Sequence, residues 1–222
     1  MNIKQMIIGI ALFAGLALAS CHKETEDVRY IDFATISNIT TDGTTLTLRA
    51  DADSPEVTYT TNMIFPSAEF PVGTRIVMDY YPDYGLRYVS GPIYIYQALK
   101  AIGNGEPPVA QTAAGTDNWK SDPVEIESCD RQGKYIDIAV WGTTSLSSNQ
   151  ISVVLDSDTQ NSAIPELHLI FDAAPGFDAA SYRFFLSYDI GELWNKDTTQ
   201  SVKLIYTDND GAQNFVELKK QN

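Results

Sequence analysis

Cysteine and histidine are nearly absent from this sequence, with two of each in 222 residues. Two cysteines exclude a disulfide-dense scaffold, and two histidines exclude a His-rich metal cluster. Basic residues are scarce as well: 15 Lys and Arg stand against 29 Asp and Glu, a formal charge of −14. That balance excludes charge-driven binding to nucleic acid or to an anionic membrane. Also missing is any long stretch with the i, i+3, i+4 period of an amphipathic helix. The longest apolar or small run, Met6–Ala19, has 14 residues, short of the roughly 20 that span a bilayer. What remains is 44% hydrophobic and 11% aromatic, enough to bury a sizeable core in one large domain or two small ones.

The first 20 residues read as an address. A single charge at Lys4, a short apolar middle and a small-residue end make a secretory signal. Leu18-Ala19-Ser20-Cys21 resembles the bacterial lipobox. That resemblance implies cleavage before Cys21, acylation of its thiol and stable membrane anchoring without a transmembrane helix. Loss of Lys4 makes the mature charge −15, and Cys129 is left with no intrachain partner. Residues 21–32 then read as a flexible acidic tether, of which His22–Asp32 reaches at most roughly 35–40 Å. The acidic run is similar to surface-export signals of Bacteroides-type lipoproteins. The expected location is the outer membrane, on its periplasmic face or at the cell surface.

Short alternating runs bounded by Gly, Pro, Asn and Asp recur through the rest, the pattern of an all-β protein. Five predicted strands, at 32–39, 44–50, 56–61, 74–81 and 93–102, suit an oligonucleotide/oligosaccharide-binding (OB)-like small barrel over residues 33–102. Residues 103–118 hold three Gly, two Pro and one bulky aliphatic, Val109, and read as a linker. Seven further strands, at 124–128, 134–141, 151–155, 167–172, 182–188, 202–206 and 214–218, give residues 119–222 the count of an immunoglobulin-like β-sandwich.

Four segments, FPVGTRIVMDYYPDY, KYIDIAVWG, ELHLIFDAA and RFFLSYDIGEL, together with the lipobox and tether, resemble the NigD-like lipoproteins of Bacteroides-type bacteria. The resemblance implies an N-terminal OB-like domain joined to a C-terminal β-sandwich. It implies no enzymatic activity, and its name comes from a gene beside a bacteriocin locus.

Few residues offer chemistry. His168 alternates out of phase with Leu167, Leu169 and Phe171, which places it on the outer face of its strand as a surface or hydrogen-bonded histidine. No nucleophile motif such as G-x-S-x-G accompanies it. Cys129 adjoins Asp130, which opposes a thiolate. The pairs Asp51/Asp53, Asp156/Asp158 and Asp208/Asp210 fit turns; Asp208-Asn209-Asp210-Gly211 lacks the glycine position of an EF-hand. No catalytic residue, metal ligand or cofactor is assigned. The strongest signal is aromatic: six of twelve tyrosines fall within residues 80–96. Core-facing Met78 would leave Tyr81 outside with Asp79, and Ile93 and Ile95 would do the same for Tyr94 and Tyr96. Tyr81, Tyr94 and Tyr96 are therefore the expected binding patch, with Asp79 accepting hydrogen bonds from sugar hydroxyls at its edge.

The expected function is a lipid-anchored, non-enzymatic binding or accessory protein for a neutral or cationic glycan or protein partner, not nucleic acid. Two other readings stand beside it: a carbohydrate-active hydrolase using a carboxylate pair, and an immunity-type partner of a secreted bacteriocin.

Overall fold

The computed structural model describes residues 28–83, 85–112, 119, 121–145, 150–173, 176 and 179–220; Cys21 and Tyr84 lie outside them. The described chain is nearly all β. Strands β1 (Tyr30–Ile39), β2 (Thr45–Arg49), β3 (Val57–Thr61), β4 (Arg75–Pro82) and β5 (Gly91–Lys100) close into a barrel in the order β1-β2-β3-β5-β4. All neighbours run antiparallel except β3 and β5, which are parallel. Period-2 alternation builds the barrel core: Ala34 and Ile36, Leu46 and Leu48, Val57 and Tyr59, Met78 and Tyr80, Ile93 and Ile95 all turn inward. Each such aliphatic side chain contributes about 1.5–3 kcal/mol by leaving water.

Eight more strands follow: β6 (Val109–Gln111), β7 (Val124–Gln132), β8 (Tyr135–Thr144), β9 (Gln150–Asp156), β10 (Glu166–Asp172), β11 (Ala180–Asp189), β12 (Ser201–Thr207) and β13 (Gln213–Lys219). They form a five-stranded sheet, β13-β12-β10-β9-β6, and a three-stranded sheet, β11-β8-β7. Between the sheets lies a second core, with Ile136, Ile138 and Val140 of β8 against Leu167, Leu169 and Phe171 of β10. A single turn of helix, α1 (Gly191–Trp194), adds Leu193 to that core.

The three-stranded sheet has both faces covered. Its inner face meets the five-stranded sheet, and its outer face meets the barrel through Phe185, whose ring lies edge-on to Phe33 at 6.0 Å. Arg75 of β4 crosses this boundary, fully buried. Its Nε donates to Ser187 Oγ at 3.0 Å, Nη2 to Asp137 at 2.6 Å and Gln132 at 3.0 Å, and Nη1 to Thr35 Oγ1 and the Ala50 carbonyl. All five guanidinium donors are used.

Two sequence expectations change here. Residues 30–32 belong to β1, not to a tether, because Asp32 enters the barrel already matched by hydrogen-bond donors. The linker reading also fails for residues 103–111. Ile102 donates its N–H to Phe185 O and accepts from Ser187 N–H, Gly105 donates to Ser187 O, and β6 pairs with β9. Apolar burial was the wrong criterion for this segment, since backbone groups pair with a sheet edge whatever the side chains. Gly103 has φ +81°, and a Cβ there would meet the Tyr188 ring at 2.6 Å, so the docked path requires glycine.

Candidate functional site: an aromatic face on the barrel

Tyr81 on β4 and Tyr94 on β5 are direct cross-strand partners, and a bulge between Asp79 and Tyr80 leaves Tyr96 as the extra residue of β5. The bulge brings all three rings together. Tyr81 and Tyr94 stack at 5.3 Å and 16°, Tyr94 and Tyr96 meet edge-on at 5.1 Å, and Tyr81 and Tyr96 lie 5.8 Å apart. Tyr94 and Tyr96 remain 42% and 52% exposed. Met78, Tyr80, Ile93 and Ile95 lie inside, as period-2 alternation requires.

Asp79 is placed beside the patch but not free. The Arg29 guanidinium donates from Nε and Nη2 to both its oxygens and lies over the Tyr96 ring at 4.3 Å. Both Asp79 oxygens accept from Arg29 in a charge-assisted fork, so a sugar hydroxyl would share the carboxylate with that guanidinium. Stacking takes one face each of Tyr81 and Tyr94, and Arg29 covers one face of Tyr96.

Around the barrel from this face lies a cavity of about 430 Å³, lined by Asp32, Leu48, Asp51, Tyr59, Tyr80 and Tyr88 among others. Asp32 Oδ2 accepts from Tyr80 at 2.8 Å and Arg87 Nε at 3.0 Å, and Oδ1 accepts from Tyr88 at 3.2 Å and from Arg87 Nη2. Burial and the Asp32 charge push the Tyr80 hydroxyl well above the usual tyrosine range, so it stays a donor. Tyr88 holds φ +60°, a strained backbone for a bulky residue, secured by this bond and by Arg87 over its ring at 4.7 Å. Asp51 Oδ1 is occupied by the N–H groups of Asp53 and Ser54, both at 2.8 Å. The cavity therefore holds one carboxylate, Asp32, with donors on both oxygens, and a second, Asp51, engaged through Oδ1. Sequence reasoning passed over it, because nothing local links Asp32 to Arg87 or Tyr88.

The remaining chemistry-bearing residues fall elsewhere. Asp156 and Asp208 each take the N–H two residues on, at 2.9 and 3.0 Å, the turn chemistry expected of the acidic pairs. Burial, then Asp130 and Asp137, push the Cys129 thiol up to about 12. His168 differs from expectation. Its side chain does leave the core face of β10, but it is 7% exposed rather than superficial. The Trp119 ring stacks on it at 4.2 Å and 9°, a cover that arrives from 49 positions away.

The architecture has solved counterparts. It is similar to a protein of unknown function, DUF1344, from Bacteroides vulgatus, with TM-score 0.62, 12% identity and coverage of 88% of this chain and 92% of that one. It is similar to a putative toxin-related protein from Parabacteroides distasonis, with TM-score 0.58, 17% identity and coverage of 87% and 94%. A NigD-like immunity protein from Bacteroides caccae matches at TM-score 0.58 and 18% identity, over 86% of this chain and 97% of that one. The structural neighbours thus include a protein of the kind the sequence resembles, and identities this low speak for the fold alone. No family model and no curated protein matches the chain.

Proposed function

We propose that this chain is a non-catalytic, immunity- or accessory-type binding protein of the cell envelope, anchored through a lipid on Cys21 in the outer membrane, which engages a protein partner through the barrel face around Tyr81, Tyr94 and Tyr96. The observation that carries the reading is the aromatic cluster with Arg29 laid across it. Tyrosine and arginine are enriched where protein surfaces meet, because both supply large contact area together with hydrogen bonds. A partner of positive charge fits best, given a net −15 on the mature chain. The NigD-like immunity protein among the structural neighbours supports a partner-binding role. Under this reading the barrel, with order β1-β2-β3-β5-β4, is OB-like and the two packed sheets are an immunoglobulin-like sandwich.

A glycan is the second ligand class, and the self-stacked rings weigh against it: a sugar needs an open ring face. Hydrolysis is disfavoured in the barrel cavity because Asp32 has fixed donors, an arginine among them, on both oxygens, whereas a retaining or inverting pair needs two carboxyls available for chemistry. The test runs both classes side by side. Mature protein is offered to a glycan array and to extracts of surface-labelled cells, with Tyr94→Ala/Tyr96→Ala as control. Protein capture that the control loses supports the proposal; a specific glycan signal without protein capture overturns it.

A further inference from the structure

On the outer side of the five-stranded sheet, away from the aromatic face, Asp156 ends β9 while Glu166 and His168 lie at the start of β10. The register pairs Leu155 with Leu167 and Val154 with His168, so Asp156 falls opposite Glu166 and all three side chains leave one face. One carboxylate oxygen of Asp156, one of Glu166 and one ring nitrogen of His168 all lie within 4.8 Å of one another. Like charges placed directly across two strands repel, and among the described residues neither carboxylate is in an ion pair. Lys203 pairs in register with Glu166 on β12, but its ammonium sits over the Phe215 ring at 5.0 Å. The independent observation is on the histidine: it is 93% buried, and its enclosed Nε2 has no hydrogen-bond partner among the described residues. Buried polar atoms are almost always matched, and this histidine stands beside two carboxylates that are in no ion pair among the described residues.

The geometry points to a divalent-metal site made by Asp156, Glu166 and His168, of the nitrogen-and-oxygen donor class that Zn²⁺ favours. An imidazole with two carboxylates suits a borderline first-row ion over Mg²⁺ or Ca²⁺, which seek oxygen alone. Tetrahedral Zn²⁺ with bonds of about 2.0–2.2 Å sets its ligand atoms about 3.3–3.5 Å apart. The three ligand atoms, all within 4.8 Å of one another, would close to that spacing on binding. Stacking by Trp119 does not compete, because a metal–nitrogen bond lies in the imidazole plane while Trp119 covers its face. Three protein ligands leave the fourth position for water.

Trp119 also supplies the readout. Chelator-washed protein is titrated with ZnCl₂, followed by calorimetry and tryptophan fluorescence, with MgCl₂ and CaCl₂ as comparison ions. The expected result is one saturable Zn²⁺ per chain with a fluorescence change. His168→Ala should weaken binding at least tenfold, and Asp156→Asn and Glu166→Gln, which preserve shape, should each weaken it several-fold. Trp119→Phe should keep binding while losing most of the fluorescence change. His22→Ala should leave the affinity unchanged. No saturable Zn²⁺ binding, wild-type affinity in folded Asp156→Asn and Glu166→Gln, or loss of binding in His22→Ala would overturn the assignment.

Discussion

Replacing Arg75 by Met removes a buried group that ties the barrel to the three-stranded sheet. In the native protein its side chain is 1% exposed and pairs with Asp137, itself 7% exposed, at 2.6 Å. The substitution deletes five hydrogen bonds and the stacking of the guanidinium over Tyr135 at 4.1 Å. It also strands a buried carboxylate whose one remaining side-chain donor is Ser187. Removing one member of a buried pair costs roughly 3–5 kcal/mol, because the partner's desolvation is no longer offset. For a chain of this size that lowers Tm by about 6–20 °C. The pH dependence follows from Asp137, whose pKa burial raises while Arg75 and Ser187 hold it back. Without Arg75 it rises further. A carboxyl with a raised folded pKa contributes stability that is present below its unfolded pKa and lost as pH rises through the folded one. The deficit of Arg75→Met is therefore greatest near pH 7 and narrows toward pH 4. Thermal melts of wild type, Arg75→Met, Asp137→Asn and the double variant at both pH values check this. Asp137→Asn should recover part of the loss in the Arg75→Met background. A Tm drop under about 2 °C at pH 7, or a double variant less stable than Arg75→Met, would refute the reasoning.

Cys21→Ala should release the protein from membranes on fractionation, since no helix among the described residues is long and apolar enough to cross one; full retention contradicts the anchor. With its thiol pushed up to about 12, Cys129 should react with iodoacetamide at pH 8 at least about a hundredfold more slowly than free cysteine, and equal rates would show an accessible thiolate. Gly103→Ala meets the Tyr188 ring at an unfavourable φ and should cost at least about 1–2 kcal/mol from the backbone conformation alone, while exposing residues 101–111 to protease; unchanged melting and unchanged cleavage would mean the segment is not docked. Gly133→Ala, whose Cβ would fall 2.3 Å from Asp51 Cβ at φ +59°, should likewise lower Tm, by disturbing the contact between the β7–β8 turn and the β2–β3 loop.

The strands were legible because alternation is a local property. Leu46/Leu48, Ile136/Ile138/Val140 and Leu167/Leu169/Phe171 each face a core as their spacing requires, and the tyrosine face followed from the same rule. Two elements left no such trace. β6 has three exposed side chains and exists through backbone pairing to β9, and α1 is a single turn. Long-range contacts were equally invisible: Arg75 reads as one residue of a strand until β8 and β11 cover it, and His168 reads as superficial until Trp119 lies over it. A usable signal was present in β11. Phe184, Leu186 and Tyr188 alternate with Phe185, so both faces carry aromatic or apolar groups, as expected of a strand covered on both sides. Asp79 shows the opposite limit, since its partner Arg29 lies 50 positions away in a segment that reads as tether.

The central claim is partner binding through the aromatic face, and the affinity of a purified captured partner tests it most directly. Calorimetry with wild type and with Tyr94→Ala/Tyr96→Ala, whose fold is verified by circular dichroism, should show at least a tenfold weaker Kd for the variant, in keeping with about 1–2 kcal/mol or more for an aromatic anchor at an interface centre. The same Kd in a folded variant would contradict the account and return the three tyrosines to cross-strand packing.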